Sequence, residues 1–320
     1  CVMNCVFDCE YCYLKGMYPS ANLVVFVNLE DIFAEVEKRL AANPVYLCVS
    51  YDTDLLALEH LTGYAARWIE FVRRVNADGQ RLRIELRTKG TGGSLWQTVR
   101  PEAGVVCAFT ISPQQVIDAY EHGTASLAGR LAGAKAAMEH GFSVRLCFDP
   151  MIYCSDWKNH YDAMLAQVCG TLDLEKLSDV SVGTFRISQD YLKKMRKNEP
   201  DSAVVQFPYQ NDSGVYHYPT ALMEEMEQTL AALAQAGIPV QSVYMGGGTP
   251  TTLTADQLRD VLGLFSKYLD VGALSEFTVE AGRPDTITAD KLEAIVESGA
   301  DRISVNPQTT DDDTLRRIGR

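Results

Sequence analysis

Apolar positions along this 320-residue chain recur in two alternating patterns, and the alternation predicts the fold class. Short apolar runs fall at about 45–50, 82–88, 104–112, 142–150 and 180–186. Each has strand length, and their near-continuous apolar character is that of strands buried on both faces. Between them lie longer stretches with helical spacing, at about 29–41, 55–75, 126–140 and 159–169. Asn28 is a capping residue type at the start of the first helix, and Asp31 lies in its first turn. Asp78-Gly79 supplies the turn ahead of the second strand. Repeated β-α units of this kind build an α/β fold, a parallel sheet covered by helices. The alternation restarts after the turn-rich Asn211-Asp212-Ser213-Gly214. Helices at about 220–236, 255–268 and 289–299 then alternate with strands at 240–245, 276–281 and 301–306. Two domains follow, residues 1–212 and 213–320.

Composition narrows the picture modestly. A hydrophobic fraction of 47% is ordinary for a globular protein, and no run approaches the ~20 apolar residues of a membrane span. No basic-then-apolar leader is visible at Cys1, so the expectation is a cytoplasmic protein with no membrane partner. In that compartment nine cysteines read as metal ligands and buried thiols rather than disulfides. Cys107 and Cys147, inside strand-like runs, are expected to be packed thiols. The net charge of −13 argues against a general nucleic-acid binder. It divides as −5 over residues 1–212 and −8 over 213–320, which leaves room for a local basic groove in the first part. Arg81, Arg83, Arg87 and Lys89 alternate along one strand as candidates for it. Lys193, Lys194, Arg196 and Lys197 read as a solvated helix face.

The densest chemistry is at the start. Cys5, Cys9 and Cys12 stand in the spacing C-x3-C-x2-C, which supplies three thiolates from one short loop. Thiolates hold iron–sulfur cubes, and three protein ligands leave one iron of a 4Fe-4S cluster open. A structural zinc ion needs a fourth protein ligand, and Cys1 could supply it. Apolar Val6 and Phe7, with Tyr11 just before the last cysteine, favour the buried cluster.

The loop resembles the signature of the radical S-adenosylmethionine (radical SAM) superfamily. Its continuation, Cys12-Tyr13-Leu14 and Asn28-Leu29-Glu30-Asp31-Ile32, is similar to the spore photoproduct lyase family. So are Thr53-Asp54, His60-Leu61-Thr62, Thr88-Lys89, Glu121-His122-Gly123-Thr124 and Gly129-Arg130-Leu131-Ala132. The resemblance covers about residues 1–212. It implies a partial (β/α)6 TIM-like radical SAM barrel whose first strand would precede Cys1. It also implies a 4Fe-4S cluster on Cys5, Cys9 and Cys12, and reductive cleavage of S-adenosylmethionine to a 5′-deoxyadenosyl radical. Lys89 and Ser112 are implied contacts to that cofactor, a flavodoxin- or ferredoxin-type protein is the implied reductant, and damaged DNA is the implied substrate. Glu121 and Arg130 are either part of the site or a structural ion pair. Tyr11 and Tyr13 match the family's assisting tyrosines. The family's hydrogen-donor cysteine aligns with Tyr51, and a phenol O–H is the stronger bond, so the resemblance supports the reaction type more firmly than photoproduct repair. Cys48, three residues earlier, would face the other side of a continuous strand.

From about Pro219 onward the chain resembles a second radical SAM family, the oxygen-independent coproporphyrinogen III dehydrogenases of heme biosynthesis. The carrying residues are Tyr244-Met245-Gly246-Gly247-Gly248-Thr249-Pro250-Thr251, Phe277–Asp285 and Arg302–Gln308. The resemblance assigns Gly246, Gly247, Gly248 and Thr249 to the amino acid end of S-adenosylmethionine, and Glu280 and Gln308 to its amine and ribose. This part has no cysteine. The chain thus reads as two partial enzymes joined end to end. A non-catalytic fusion fragment is the alternative from a different class.

Overall fold

The structure is a computed structural model that describes residues 1–79, 81–212, 214–235, 242–245, 250–274, 276–281 and 286–305. Contacts divide the chain into two units, Cys1–Asn211 with Tyr216–Ile238, and Asp212–Val215 with Pro239–Arg320.

In the first unit five strands form a parallel sheet in chain order: β1 (Val45–Cys48), β2 (Leu82–Thr88), β3 (Val105–Thr110), β4 (Ser143–Met151) and β5 (Asp179–Thr184). They curl into a half-barrel. Helices α1 (Leu29–Leu40), α2 (Tyr64–Val75), α3 (Gln114–Tyr120), α4 (Leu127–Glu139), α5 (Trp157–Thr171), α6 (Gln189–Asn198) and α7 (Thr220–Gln235) connect and flank these strands. Period-two alternation decides which side chains meet the core. Leu82, Ile84, Leu86, Val105, Cys107, Phe109, Val144, Leu146 and Phe148 are buried against the main core. Phe33 of α1 stacks on Phe71 of α2 at 4.1 Å and meets Trp68 edge-on at 4.9 Å. Full burial of such side chains contributes roughly 1.5–3 kcal/mol each.

The opposite, concave face is polar and arranged in tiers. Lowest lies Arg145, which pairs with Asp179 on β5 and crosses β3 to reach Glu85 at 2.5 Å and the Tyr46 hydroxyl at 3.2 Å. Ala108, its register neighbour on β3, is small enough to let it pass. Above it, Arg87 pairs with Glu85 at 3.1 Å and Asp149 at 3.2 Å, and Asp149 accepts from Ser181 at 2.8 Å. The expected basic stripe is therefore no basic groove. Glu85 shares its face, Arg87 is neutralised, Arg83 lies over the Tyr46 ring, and Lys89 turns into the site described below. The second basic run does form an exposed helix face on α6, except that Arg196 donates to the carbonyls of Val205 and Phe207 at 3.1 and 2.8 Å.

The helix expected over 55–75 is broken. A single turn, Glu59–Thr62, ends at Gly63, whose φ of +63° is the left-handed conformation glycine adopts without strain. The Glu59 carboxylate then accepts the Ala65 and Ala66 N–H groups at 2.7 and 3.1 Å and so starts α2. Ahead of this turn, the buried Asp54 ties the loop after β1 to the end of β2. It accepts from the Thr88 hydroxyl at 2.8 Å, the Lys89 N–H at 2.7 Å and the Ala57 N–H at 3.0 Å. Burial pushes its carboxyl up, and these donors only partly offset that. Asp54→Ala orphans all three donors and is expected to cost roughly 2–4 kcal/mol in urea denaturation, because each stranded buried group costs about 1–3 kcal/mol. Asp54→Asn, which keeps a carbonyl acceptor, is expected to cost less than half as much. Equal losses would mean that the loop is held by packing instead.

The second unit carries three parallel strands, β6 (Ser242–Met245), β7 (Glu276–Glu280) and β8 (Arg302–Ser304), with helices α8 (Ala255–Tyr268) and α9 (Ala289–Glu297). Thr254 and Gln257 form a capping box at the start of α8. Leu258, Leu262, Phe277, Val279, Ala294 and Ile295 make a separate core. Among the described residues the strands and helices expected between 242 and 305 are present, whereas the helix expected at 220–236 is α7 and belongs to the first unit; residues 240, 241 and 306 of the expected strands lie outside the described residues.

Candidate active site at the mouth of the half-barrel

The cysteine loop is tied down by its own backbone. Val2–Met3 pairs antiparallel with Val24–Val25, and Asp8–Cys9 pairs with Glu121–His122. Asn4, at φ +65°, donates its side-chain amide to the carbonyls of Ser20 and Asn22 at 3.0 and 2.6 Å. The backbone N–H groups of Phe7 and Asp54 point at the Cys5 sulfur and that of Leu14 at Cys12, while the Lys89 ammonium stands 3.7 Å from Cys9 Sγ. Burial pushes the Cys5 thiol up to about 11 and Cys9 up to about 12, and raises Cys12. Cys5 feels the charge of Cys12, and Cys9 that of both Cys12 and Cys5.

Three convergent sulfurs, each with donors aimed at it, suit anionic thiolates on a cluster, whose hydrogen bonds tune it. Among the described residues no three His, Cys, Asp or Glu side chains are gathered closely enough for one metal ion. In a cube each thiolate binds a different iron, so the three sulfurs need not meet at one point. The donor set therefore fits the 4Fe-4S cluster that the loop spacing implies. The buried Thr53 hydroxyl, beside Asp54, has no hydrogen-bond partner among the described residues.

Next to the thiols is a buried polar hub. Glu121 accepts from the Tyr11 hydroxyl, from Ser112 Oγ at 2.9 Å and from Arg130, with Lys89 at 3.5 Å. Lys89 also donates to the Tyr11 hydroxyl at 2.8 Å. Arg130 is fully buried and spends its other N–H groups on the Thr110 and Ala125 carbonyls and the Thr124 hydroxyl, at 3.0, 2.9 and 2.7 Å. Burial alone would raise the Glu121 carboxyl, but Lys89 and Arg130 together hold it at about 2. Gly133 lets α4 pack against the backbone of Thr91, shortly after β2, since a Cβ there would stand 2.4 Å from the Thr91 carbonyl oxygen. Lys89 thus reaches the cluster loop directly, and Ser112 reaches it through Glu121. Glu121 and Arg130 are an ion pair, and the same pair orients Tyr11 and Lys89.

Tyr11 and Tyr13 diverge. Tyr11 turns inward to the hub, whereas Tyr13 donates to the Tyr51 carbonyl at 2.5 Å and stands 5.6 Å from its ring. Tyr51 is 66% exposed. The opposed placement of Cys48 and Tyr51 is corrected, because β1 ends at Cys48 and residues 49–51 turn. Alternation no longer applies, and Cys48 lies within electrostatic reach of Tyr51, Glu85 and Arg87 on the concave side. In the second unit Glu280 ends β7. Gly246, Gly247, Gly248, Thr249 and Gln308 lie outside the described residues. Asp54 shapes the site, although the sequence named it only within the Thr53-Asp54 resemblance and gave it no role. Its signal was an acid set directly before the apolar run Leu55-Leu56-Ala57-Leu58.

A parallel half-barrel with three thiolates presented at the carboxyl ends of its strands defines a radical SAM core. Residues 206–320 match the Radical SAM superfamily model, and residues 2–208 match the model for spore photoproduct lyase. The chain belongs to the spore photoproduct lyase family. It is 26% identical to the spore photoproduct lyase of Geobacillus sp. over 198 residues, 61% of this chain and 56% of that protein. It is 44% identical over 98 residues to an oxygen-independent coproporphyrinogen-III oxidase-like protein of Bacillus subtilis, 30% of this chain and 19% of that protein. A solved spore photoproduct lyase, with bound AdoMet and dinucleoside spore photoproduct, shares the fold: TM-score 0.66 at 22% identity, over 74% of this chain and 73% of that one. The chain spans little more than half the length of that curated lyase, and less of the coproporphyrinogen-oxidase-like relative. Among the described residues no helix is long and apolar enough to cross a membrane.

Proposed function

We propose that the chain is a radical SAM enzyme of the spore photoproduct lyase type, with Cys5, Cys9 and Cys12 as the ligands of a 4Fe-4S cluster. The Glu121 hub carries the reading: it gathers Lys89, Ser112 and Tyr11 beside the loop, with the Lys89 ammonium 3.7 Å from Cys9 Sγ. When bound, the reduced cluster supplies the electron that cleaves S-adenosylmethionine to a 5′-deoxyadenosyl radical. The protein binds and orients. Lys89 and Ser112 face the carboxyl ends of the strands, where parallel-sheet enzymes place their ligands, and Glu121 fixes the positions of both. An electron-carrier protein of flavodoxin or ferredoxin class is the reductant on this reading. Tyr51 in the donor position, and a concave face with three carboxylates to two guanidinium groups, favour a substrate other than the DNA photoproduct named for the relatives. The coproporphyrinogen dehydrogenase reading rests on residues 213–320, which hold no thiol for a cluster. On our reading its glycine run, Glu280 and Gln308 serve no cluster of their own.

The test is formation of 5′-deoxyadenosine from S-adenosylmethionine by the anaerobically reconstituted, dithionite-reduced chain. Product above a protein-free blank is expected; none at full iron loading would favour a non-catalytic fusion fragment. At a pH high enough for complete cluster assembly, Lys89→Met is expected to leave iron content unchanged and weaken S-adenosylmethionine binding about ten- to a hundredfold, since a hydrogen bond to a charged group contributes about 1.5–3 kcal/mol. Equilibrium dialysis measures it. If Lys89 serves only as a counter-ion to Glu121, thermal stability will fall and affinity will not move.

A further inference from the structure

Behind Tyr11 the aromatic side chains form a continuous file to the surface. Tyr11 meets Phe185 at 5.9 Å between ring centroids, Phe185 meets Tyr209 at 5.4 Å, Tyr209 meets Tyr218 at 5.1 Å, and Tyr218 meets Tyr153 at 6.3 Å. Phe207 bridges the last steps in parallel, 5.0 Å from Tyr209 and 5.7 Å from Tyr153. The inner rings are buried, and Tyr153 at the end is 36% exposed. Phenylalanine would fill these volumes as well, and edge-on and tilted contacts hold for either ring. The phenols add two things: hydrogen bonds, from Tyr209 to the Val204 carbonyl at 2.8 Å and from the Tyr153 N–H to the Tyr218 hydroxyl at 3.0 Å, and the capacity to lose an electron and a proton, which phenylalanine resists.

We propose that Tyr209, Tyr218 and Tyr153 form an exit route for oxidising equivalents that reach Tyr11, a role that rests on the radical chemistry proposed above. The atoms balance. A carbon radical takes the hydrogen atom of the Tyr11 hydroxyl, giving a C–H bond and a Tyr11 phenoxyl. An electron then moves inward from Tyr209, with Phe185 as the bridge; the Lys89 ammonium, 2.8 Å from the Tyr11 hydroxyl, returns a proton to Tyr11 and recovers one from solvent, while the Tyr209 proton stays in its hydrogen bond to the Val204 carbonyl until that ring is reduced again. Tyr218 and Tyr153 repeat the exchange. At the surface a soluble thiol gives its hydrogen atom to the Tyr153 phenoxyl, and the resulting thiyl radicals couple as a disulfide. The net change converts a stray carbon radical and a thiol into a C–H bond and half a disulfide, and leaves the protein unaltered.

The route conducts in either direction, so it can be tested without the cluster. The full chain is photo-oxidised briefly with ruthenium trisbipyridyl and persulfate, and hydroxylated tyrosines are located by peptide mass spectrometry. Oxidation of the buried Tyr209 and Tyr218 is expected alongside the exposed Tyr51. Tyr153→Phe is expected to lower it at least about fivefold at both buried positions while Tyr51 is oxidised as before. Circular dichroism checks that the variant is folded; Tyr218→Phe, which should protect Tyr209 only in part because Phe207 leaves a second path, serves if it is not. Unmodified Tyr209 and Tyr218 in the parent chain, or oxidation indifferent to Tyr153→Phe, overturns the proposal. Failure of 5′-deoxyadenosine formation is a separate result and bears on the site alone.

Discussion

Arg130→Met is expected to destabilise the first unit by about 3–5 kcal/mol, the usual cost of removing one partner from a buried ion pair. Arg130 and the Glu121 carboxylate have no exposed side-chain surface. Without the guanidinium, Glu121 keeps only Lys89 as a cation, at 3.5 Å, and two backbone carbonyls lose their donor. Urea denaturation of the metal-free chain measures the loss. Adding Glu121→Gln to Arg130→Met removes the stranded charge and should recover a substantial part of it. A loss under about 1 kcal/mol, or no recovery in the double variant, would show that the hub is solvated and the pair merely incidental.

The same pair sets an acid limb. The folded Glu121 carboxyl, at about 2, lies below its unfolded value near 4.3. A depressed carboxyl contributes stability that is complete above the unfolded value and is lost as pH falls through the folded one. Between about pH 4.5 and 2 the parent chain should therefore lose stability more steeply than Arg130→Met, in which the carboxyl is no longer held so low. Parallel acid limbs for the two chains would assign the titration to other carboxylates.

Much of this was legible in the chain because burial on both faces leaves a simple mark. The apolar runs around Ile84, Val106, Leu146 and Val180 read as strands before any coordinates. The three thiols were legible because ligand spacing is local. What failed was nonlocal or hinged on one dihedral angle. Gly63 stops a helix that the apolar spacing carries straight through, since spacing takes no account of a left-handed φ. Cys48 and Tyr51 were set on opposite faces by an alternation that ends where β1 ends. The basic stripe on β2 looked like a phosphate groove because its neutralising partners, Asp149 and Glu85, come respectively from another strand and from within the stripe itself. The Glu121 hub joins residues as far apart as Tyr11 and Arg130, and the aromatic file joins Tyr11 to Tyr218. Only the folded sheet brings these together.

Replacing the cysteines one at a time should separate a cluster from every other use of this loop. Cys5→Ala, Cys9→Ala and Cys12→Ala are each expected to lose bound iron and to bring 5′-deoxyadenosine formation down to background, because two thiolates do not retain a four-iron cube. Cys1→Ala should keep both, and so should Cys48→Ala, whose thiol is on the concave side of β1. A zinc site completed by Cys1 predicts the reverse: a colourless protein with one zinc, as sensitive to Cys1 as to the other three. The fold should survive in all of these variants, since removing one sulfur from a loop held by Asn4 and by the pairing of Cys9 with Glu121 leaves its backbone bonds in place. Assembly should also follow pH. With Cys5 near 11 and Cys9 near 12 in the metal-free chain, ligation must expel protons, so reconstitution at fixed iron and sulfide should become more complete as pH rises. Lys89 eases that cost at Cys9, and Lys89→Met should shift the same curve to higher pH. An unshifted curve would place the ammonium too far from the sulfur to stabilise its charge, and its remaining role would be to bind S-adenosylmethionine.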